Sequence, residues 1–120
     1  MQRTRYLAPV IGTLLALGAS FGSVAENVSV AGNARSIAVE YGDLELGSGL
    51  AVERLYARLS AAAERVCGDY DSRNLRERND WQACYEAALA NAVARVPHAA
   101  LAERHRVARE RRGAEGAPVG

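Results

Sequence analysis

Cys67 and Cys84 are the two cysteines of the chain, and each falls on an apolar stripe of helical period. The first stripe runs Val52, Leu55, Tyr56, Leu59, Ala62, Ala63, Val66 and Cys67. The second runs Trp81, Cys84, Tyr85, Ala88, Leu89, Ala92, Val93 and Val96. Three- and four-residue steps of this kind put one face of a helix against a core. Cys67 closes the first helix and Cys84 lies near the start of the second, so an antiparallel hairpin brings the two thiols together. A bond there closes a loop of roughly 18 residues, which in the chain-entropy model contributes on the order of 3 kcal/mol.

Whether that bond forms depends on compartment, and the first residues speak to it. Arg3 and Arg5 give a positive start, Leu7 to Gly22 is uncharged and mostly apolar, and Ser23-Val24-Ala25 places small residues at a cleavage site. Residues 1–25 are therefore expected to be a cleavable signal peptide, with the mature chain starting at Glu26. The apolar run is shorter than the roughly 20 residues of a spanning helix and contains Pro9, which disfavours a retained anchor. No stable membrane insertion is expected after cleavage. An exported chain with an even cysteine number favours the structural disulfide.

The remainder is one small domain, expected over 26–106. Its apolar residues are largely Ala, Val and Leu, with a single Trp and with the lone Phe inside the leader. A domain of this size buries only about 60% of its unfolded surface, so a covalent staple matters. All fifteen basic residues are arginine and stand against fourteen acids. That near balance gives no global field for nucleic acid.

From Val28 to Leu46 the period is two: Val28 and Val30, then Ile37, Val39 and Tyr41, then Leu44 and Leu46. This predicts strands at 27–31 and 36–41, joined as a hairpin through Gly32-Asn33. Asp43 to Leu46 is expected to continue extended toward Gly47-Ser48-Gly49. Ser48 is the expected cap of the first helix and Gly68 its stop. The second helix is expected to start at Asn79 or Asp80 and to end at Pro97, with Trp81 anchoring it on the β-segment. A polar loop, Gly68 to Asn79, joins the two helices. Beyond Pro97 a short helix from His98 to Arg106 is expected, followed by a disordered Arg-rich tail at 107–120. The fold class is thus α+β: a short N-terminal β-segment packed on a disulfide-linked antiparallel helical hairpin.

Chemistry-bearing motifs are sparse. Redox catalysis and haem attachment lack their Cys-x-x-Cys motifs. Cys67, Cys84, His98 and His105 have the ligand types of zinc but neither close pair, and oxidation removes the thiolates. Both histidines are read as surface residues. Asp69, Asp71, Glu77 and Asp80 offer oxygens to a hard cation without a calcium-loop pattern, so a solvated acidic loop is preferred. No nucleophile elbow occurs, and no pair of carboxylates is placed in a cleft. Neither catalytic residue nor cofactor is assigned. Arg104, Arg106, Arg109, Arg111 and Arg112 are read as a solvated tail that can meet anionic surfaces.

Several segments together resemble a known family. They are Val39-Glu40-Tyr41-Gly42-Asp43-Leu44-Glu45-Leu46, Leu55-Tyr56-Ala57-Arg58-Leu59, Ala62-Ala63, Val66-Cys67, Cys84 and Ala88-Leu89-Ala90-Asn91-Ala92-Val93. The combination, spanning Ile37 to Leu101, resembles the UrcA family of small exported bacterial proteins. That family has an N-terminal signal, a Val-x-Tyr-x-Asp-Leu-x-Leu segment and two cysteines. The resemblance implies the periplasm of a Gram-negative bacterium and carries no catalytic residue over. The expected function is a non-enzymatic macromolecule-binding or structural envelope protein. A protein partner or self-association through the strand at 36–41 is its expected contact, because that strand's ladder groups need more partners than one short hairpin supplies. The alternative is a cation-binding or envelope-stress buffering module built on the acidic loop.

Overall fold

A computed structural model describes residues 26–116. The expected signal peptide at 1–25 and the last four residues, 117–120, lie outside the described residues. The chain is α+β: strands β1 (Asn27–Ala31) and β2 (Ser36–Glu40) precede helices α1 (Gly49–Cys67), α2 (Leu75–Arg95) and α3 (Ala99–Glu115). β1 and β2 pair antiparallel, with Val28 opposite Val39 and Val30 opposite Ile37. That register puts Val28, Val30, Ile37 and Val39 on the face covered by helices, while Asn27, Ser29, Ala31, Ser36, Ala38 and Glu40 are exposed.

α1 is the central element, touching both strands and both other helices. Its stripe is buried as its period requires, with Leu55, Leu59 and Ala63 fully enclosed. Ala62 and Ala63 meet the partner stripe of Ala88, Leu89, Ala92 and Val93, all buried in one core. Small side chains on both helices permit close approach, so this core is thin but continuous. The Ser48 hydroxyl accepts the Ala51 N–H at 3.1 Å, the cap expected of it. Gly68 ends the helix at φ 70°, a backbone geometry that side-chain-bearing residues rarely adopt. At Gly32 the hairpin turn presses on the last turn of α1, where an added Cβ would lie 2.5 Å from the Val66 carbonyl oxygen.

Cys67 and Cys84 are disulfide-bonded with Cα atoms 5.9 Å apart. The bond sits at the end of the hairpin and fixes the exit of α1 to α2. Trp81 does not anchor α2 on the strands as expected. Its indole N–H donates to the Gly68 carbonyl at 2.7 Å, and its ring stacks on Tyr85 at 5.2 Å and tilts against Tyr70 at 5.0 Å. The aromatic side chain therefore seals the loop beside the disulfide.

Three boundaries differ from the periodic reading. α2 starts at Leu75 because the Asn74 side chain accepts the Arg76 and Glu77 N–H groups, a cap upstream of the apolar stripe. Cys84 is accordingly well inside the helix. The Asp43–Leu46 stretch does not stay extended: it turns at Tyr41–Leu44 and Glu45–Ser48, and Leu44 and Leu46 pack half-buried on the core. The third correction is α3, which is helical through Glu115 where a disordered tail was expected from residue 107. Arg106 pairs with Glu103 and Glu110 one turn to either side, and Arg112 lies over the Tyr85 ring at 5.6 Å. Such contacts stabilise a helix that hydropathy alone does not reveal.

Replacing Cys67 by Ala removes the loop constraint and a half-buried contact. The expected loss is about 2–4 kcal/mol, read from denaturant midpoints at constant m-value. A variant with the midpoint of the wild type would show that the clamp carries no stability.

Candidate functional site

The hairpin is a sheet of two strands, so both of its edges need an account. Tyr41 N–H donates to the Glu26 carbonyl and Gly32 N–H to the Arg35 carbonyl, which fixes the ladder's parity. By that parity Asn27, Ser29 and Ala31 turn their backbone groups to one edge, and Ser36, Ala38 and Glu40 to the other. The two edges have different surroundings. α2 packs against β1 and not β2, and its Arg95 donates to the Ser29 carbonyl at 3.3 Å. β1's edge thus lies beside a helix.

Among the described residues, β2's edge has one side-chain contact, at its C-terminal end. Arg58 of α1 donates through Nη1 to the Glu40 carbonyl at 2.9 Å and forks both nitrogens onto the Asp43 carboxylate at 2.8 Å. The bidentate geometry satisfies both carboxylate oxygens and aims the guanidinium at the strand terminus. The same hydrogen bond holds the Asp43 carboxyl down at about 2, and raises the pKa of Arg58. Glu26, Asn27, Glu40, Gly42, Asp43 and Arg58 line an open cleft of about 490 Å³ beside this end. Along the rest of the edge, Ser36 and Ala38 are exposed, and their backbone groups have no hydrogen-bond partner among the described residues. This stretch is an unpaired strand edge, the kind of surface to which an extended segment can add.

The acidic loop is occupied by local structure. Glu77 accepts from the Asp71 N–H and the Asn74 side-chain amide, and Asp71 accepts from the Arg73 N–H. These bonds build the start of α2. Among the described residues, no three His, Cys, Asp or Glu side chains gather to hold a metal ion. Asp69 and Asp80 flank the disulfide with Asn33, Tyr70 and Trp81 in a cleft of about 250 Å³.

Of the arginines expected in a solvated tail, Arg104 and Arg106 are ion-paired. Arg104 pairs with Glu53 and lies over the Tyr56 ring at 4.6 Å; Arg106 pairs with Glu103 and Glu110. Arg109 and Arg111 are exposed, with no ion-pair partner among the described residues.

His105 is not the surface residue expected from sequence. Only 8% of it is exposed, at the seam of α1 and α3, where Nδ1 hydrogen-bonds the Tyr56 hydroxyl at 3.1 Å. Its Nε2 is buried without a partner among the described residues. Burial, with Arg109 and Arg112 nearby, pushes its pKa below the usual imidazole value. Burial also raises that of Tyr56. Apolar periodicity misses such a residue, since His reads as polar; its i+4 spacing from the buried Leu101 was the available signal.

Among the described residues, no helix is long and apolar enough to cross a membrane. No family model, curated protein or solved structure matches the chain.

Two titrations check this geometry. His105 binds a proton more weakly folded than unfolded, so its stabilising contribution is full above the ordinary pKa of 6.5 and is lost as pH falls below it. Denaturant midpoints should therefore drop between about pH 7.5 and 5.0 in the wild type and stay flatter in His105→Asn. Equal slopes would place the imidazole in solvent. Asp43, titrating at about 2, lies outside that window. In Arg58→Gln its NMR titration should move up toward the ordinary carboxylate value of 3.8, and an unmoved midpoint would contradict the fork.

Proposed function

We propose that this is an exported, periplasmic, non-enzymatic protein of UrcA type that binds another polypeptide by adding an extended segment to the β2 edge. The observation that carries the reading is the asymmetry of the sheet. β1's edge lies beside α2, whereas Ser36 and Ala38 expose backbone groups without a partner among the described residues. Main-chain pairing supplies affinity in such a contact, and flanking side chains supply selectivity. The Arg58 fork on Asp43 marks where the accepting stretch ends.

Export is supported by the leader-like first residues and by a disulfide that suits an oxidising compartment. The non-enzymatic reading is supported by clefts that are open to solvent. The cation-binding alternative is weakened by Asp71 and Glu77 serving the start of α2.

A photo-activatable residue at Ser36, introduced into the protein in its own cells, tests the reading. One discrete adduct is expected from Ser36 and none from Ala57, on the exposed side of α1. Ala38→Pro removes an edge donor and should abolish the adduct while circular dichroism shows the fold intact. No adduct at Ser36, or the same adducts from Ala57, would overturn the proposal.

A further inference from the structure

The β2 edge is itself asymmetric in charge. At its N-terminal end Arg35 is exposed, with no ion-pair partner among the described residues. At its C-terminal end Glu40 lines the open cleft with Glu26 and Asp43. An antiparallel copy of the same strand brings unlike ends together, and does so twice by symmetry. A parallel copy brings like ends together.

Resting on the edge reading above, we propose that the segment added to β2 is β2 of a second copy of this chain, paired antiparallel about a two-fold axis at Ala38. The register follows from which residues face outward. Centring on Ala38 pairs all three outward residues of both strands: Ala38 with Ala38, and Ser36 with Glu40. Centring on Ile37 or Val39 leaves one outward residue of each copy opposite a turn. In the chosen register Arg35 lies opposite Tyr41 of the second copy, at the end where its acidic cleft opens. On the helix-covered face, half-buried Ile37 meets Val39 of the second copy, an aliphatic cross-strand pair. On the open face, the Ser36 hydroxyl meets the Glu40 carboxylate. The Glu40 carbonyl has two lone pairs, so it can accept the Ser36 N–H of the second copy while keeping Arg58.

The result is a sheet of four strands, with β1 of each copy at the rim beside its own α2. A two-stranded sheet is marginal, and doubling it adds ladder bonds without moving the helices. The surface involved is a single short strand and its flanks, well below the area of a permanent dimer, so association is weak and concentration-dependent.

Sedimentation velocity of the disulfide-intact chain, from micromolar to millimolar concentration, reads the equilibrium. A monomer–dimer shift is expected. Ser36→Glu sets acid against the directly opposed Glu40 of the second copy, twice by symmetry, and should raise the dissociation constant about tenfold. Adding Glu40→Arg should restore it. Directly opposed Cα atoms in a hydrogen-bonded antiparallel pair lie about 5.5 Å apart, within disulfide reach. Ala38→Cys should therefore oxidise to a covalent dimer linked 38 to 38 in a non-reducing peptide map, and Ser36→Cys should not. A monomer throughout, or equal linking at both positions, overturns the proposal. Its failure is separable from that of the edge reading: a Ser36 adduct with a different protein would leave the edge function standing and remove the second copy.

Discussion

Burial of α1 on every side but one is the condition the remaining elements share. β1 and β2 lie across it, α2 runs beside it and α3 closes it from another direction. Leu55, Leu59 and Ala63 are the fully enclosed residues of this axis, and none of the other elements has a comparable apolar surface of its own. A hairpin of two five-residue strands does not persist alone in water. It persists here because Val28, Val30 and Val39 are inserted against the α1 stripe. The disulfide then acts at the one end where α1 must turn away from its neighbours, close to where Gly32 meets Val66.

The chain compensates for its slender core with arginines used one at a time. Arg95 ties α2 to β1, Arg58 ties α1 to the β2 terminus, and Arg104 ties α3 to α1 through Glu53 and the Tyr56 ring. Each guanidinium joins two different elements. A planar group with five donors can serve a carbonyl and a carboxylate together, as Arg58 does, which an ammonium on a flexible stem does less well. Two of these cations, Arg58 and Arg104, are matched locally by acids, and Arg95 by a backbone carbonyl.

The helix stripes, the Ser48 cap, the Gly68 stop, the strand pair and the cysteine bridge were all legible from periodicity and turn chemistry. The misreadings share a physical cause. Asn74 caps α2 before its stripe begins, so apolar period locates the packed part of that helix and not its start. α3 buries only Leu101 and His105, so its continuation through Glu115 rests on ion pairs and an arginine–aromatic contact that hydropathy does not register. The apolar stripe places Trp81 against the β-segment, yet its indole N–H needs an acceptor and finds one at Gly68. The edge itself was legible only as a surplus of ladder groups. Which edge remains accessible depends on α2, whose approach to β1 is a tertiary fact.

That asymmetry has a further physical consequence. A free edge beside a solvated sheet face is an aggregation hazard unless its partners are restricted. Here the accepting stretch is short, bounded by the hairpin turn on one side and by the turn at Gly42-Asp43 on the other. Arg58 marks the second boundary: its fork on Asp43 fixes the point where the chain leaves the sheet and places a fixed cation at the strand end. An incoming strand that runs past Glu40 meets that guanidinium and an acidic cleft together, a pairing of charges that an uncharged segment cannot satisfy. In the proposed pairing, length and charge at the strand ends set selectivity, and the backbone in between supplies the adhesion.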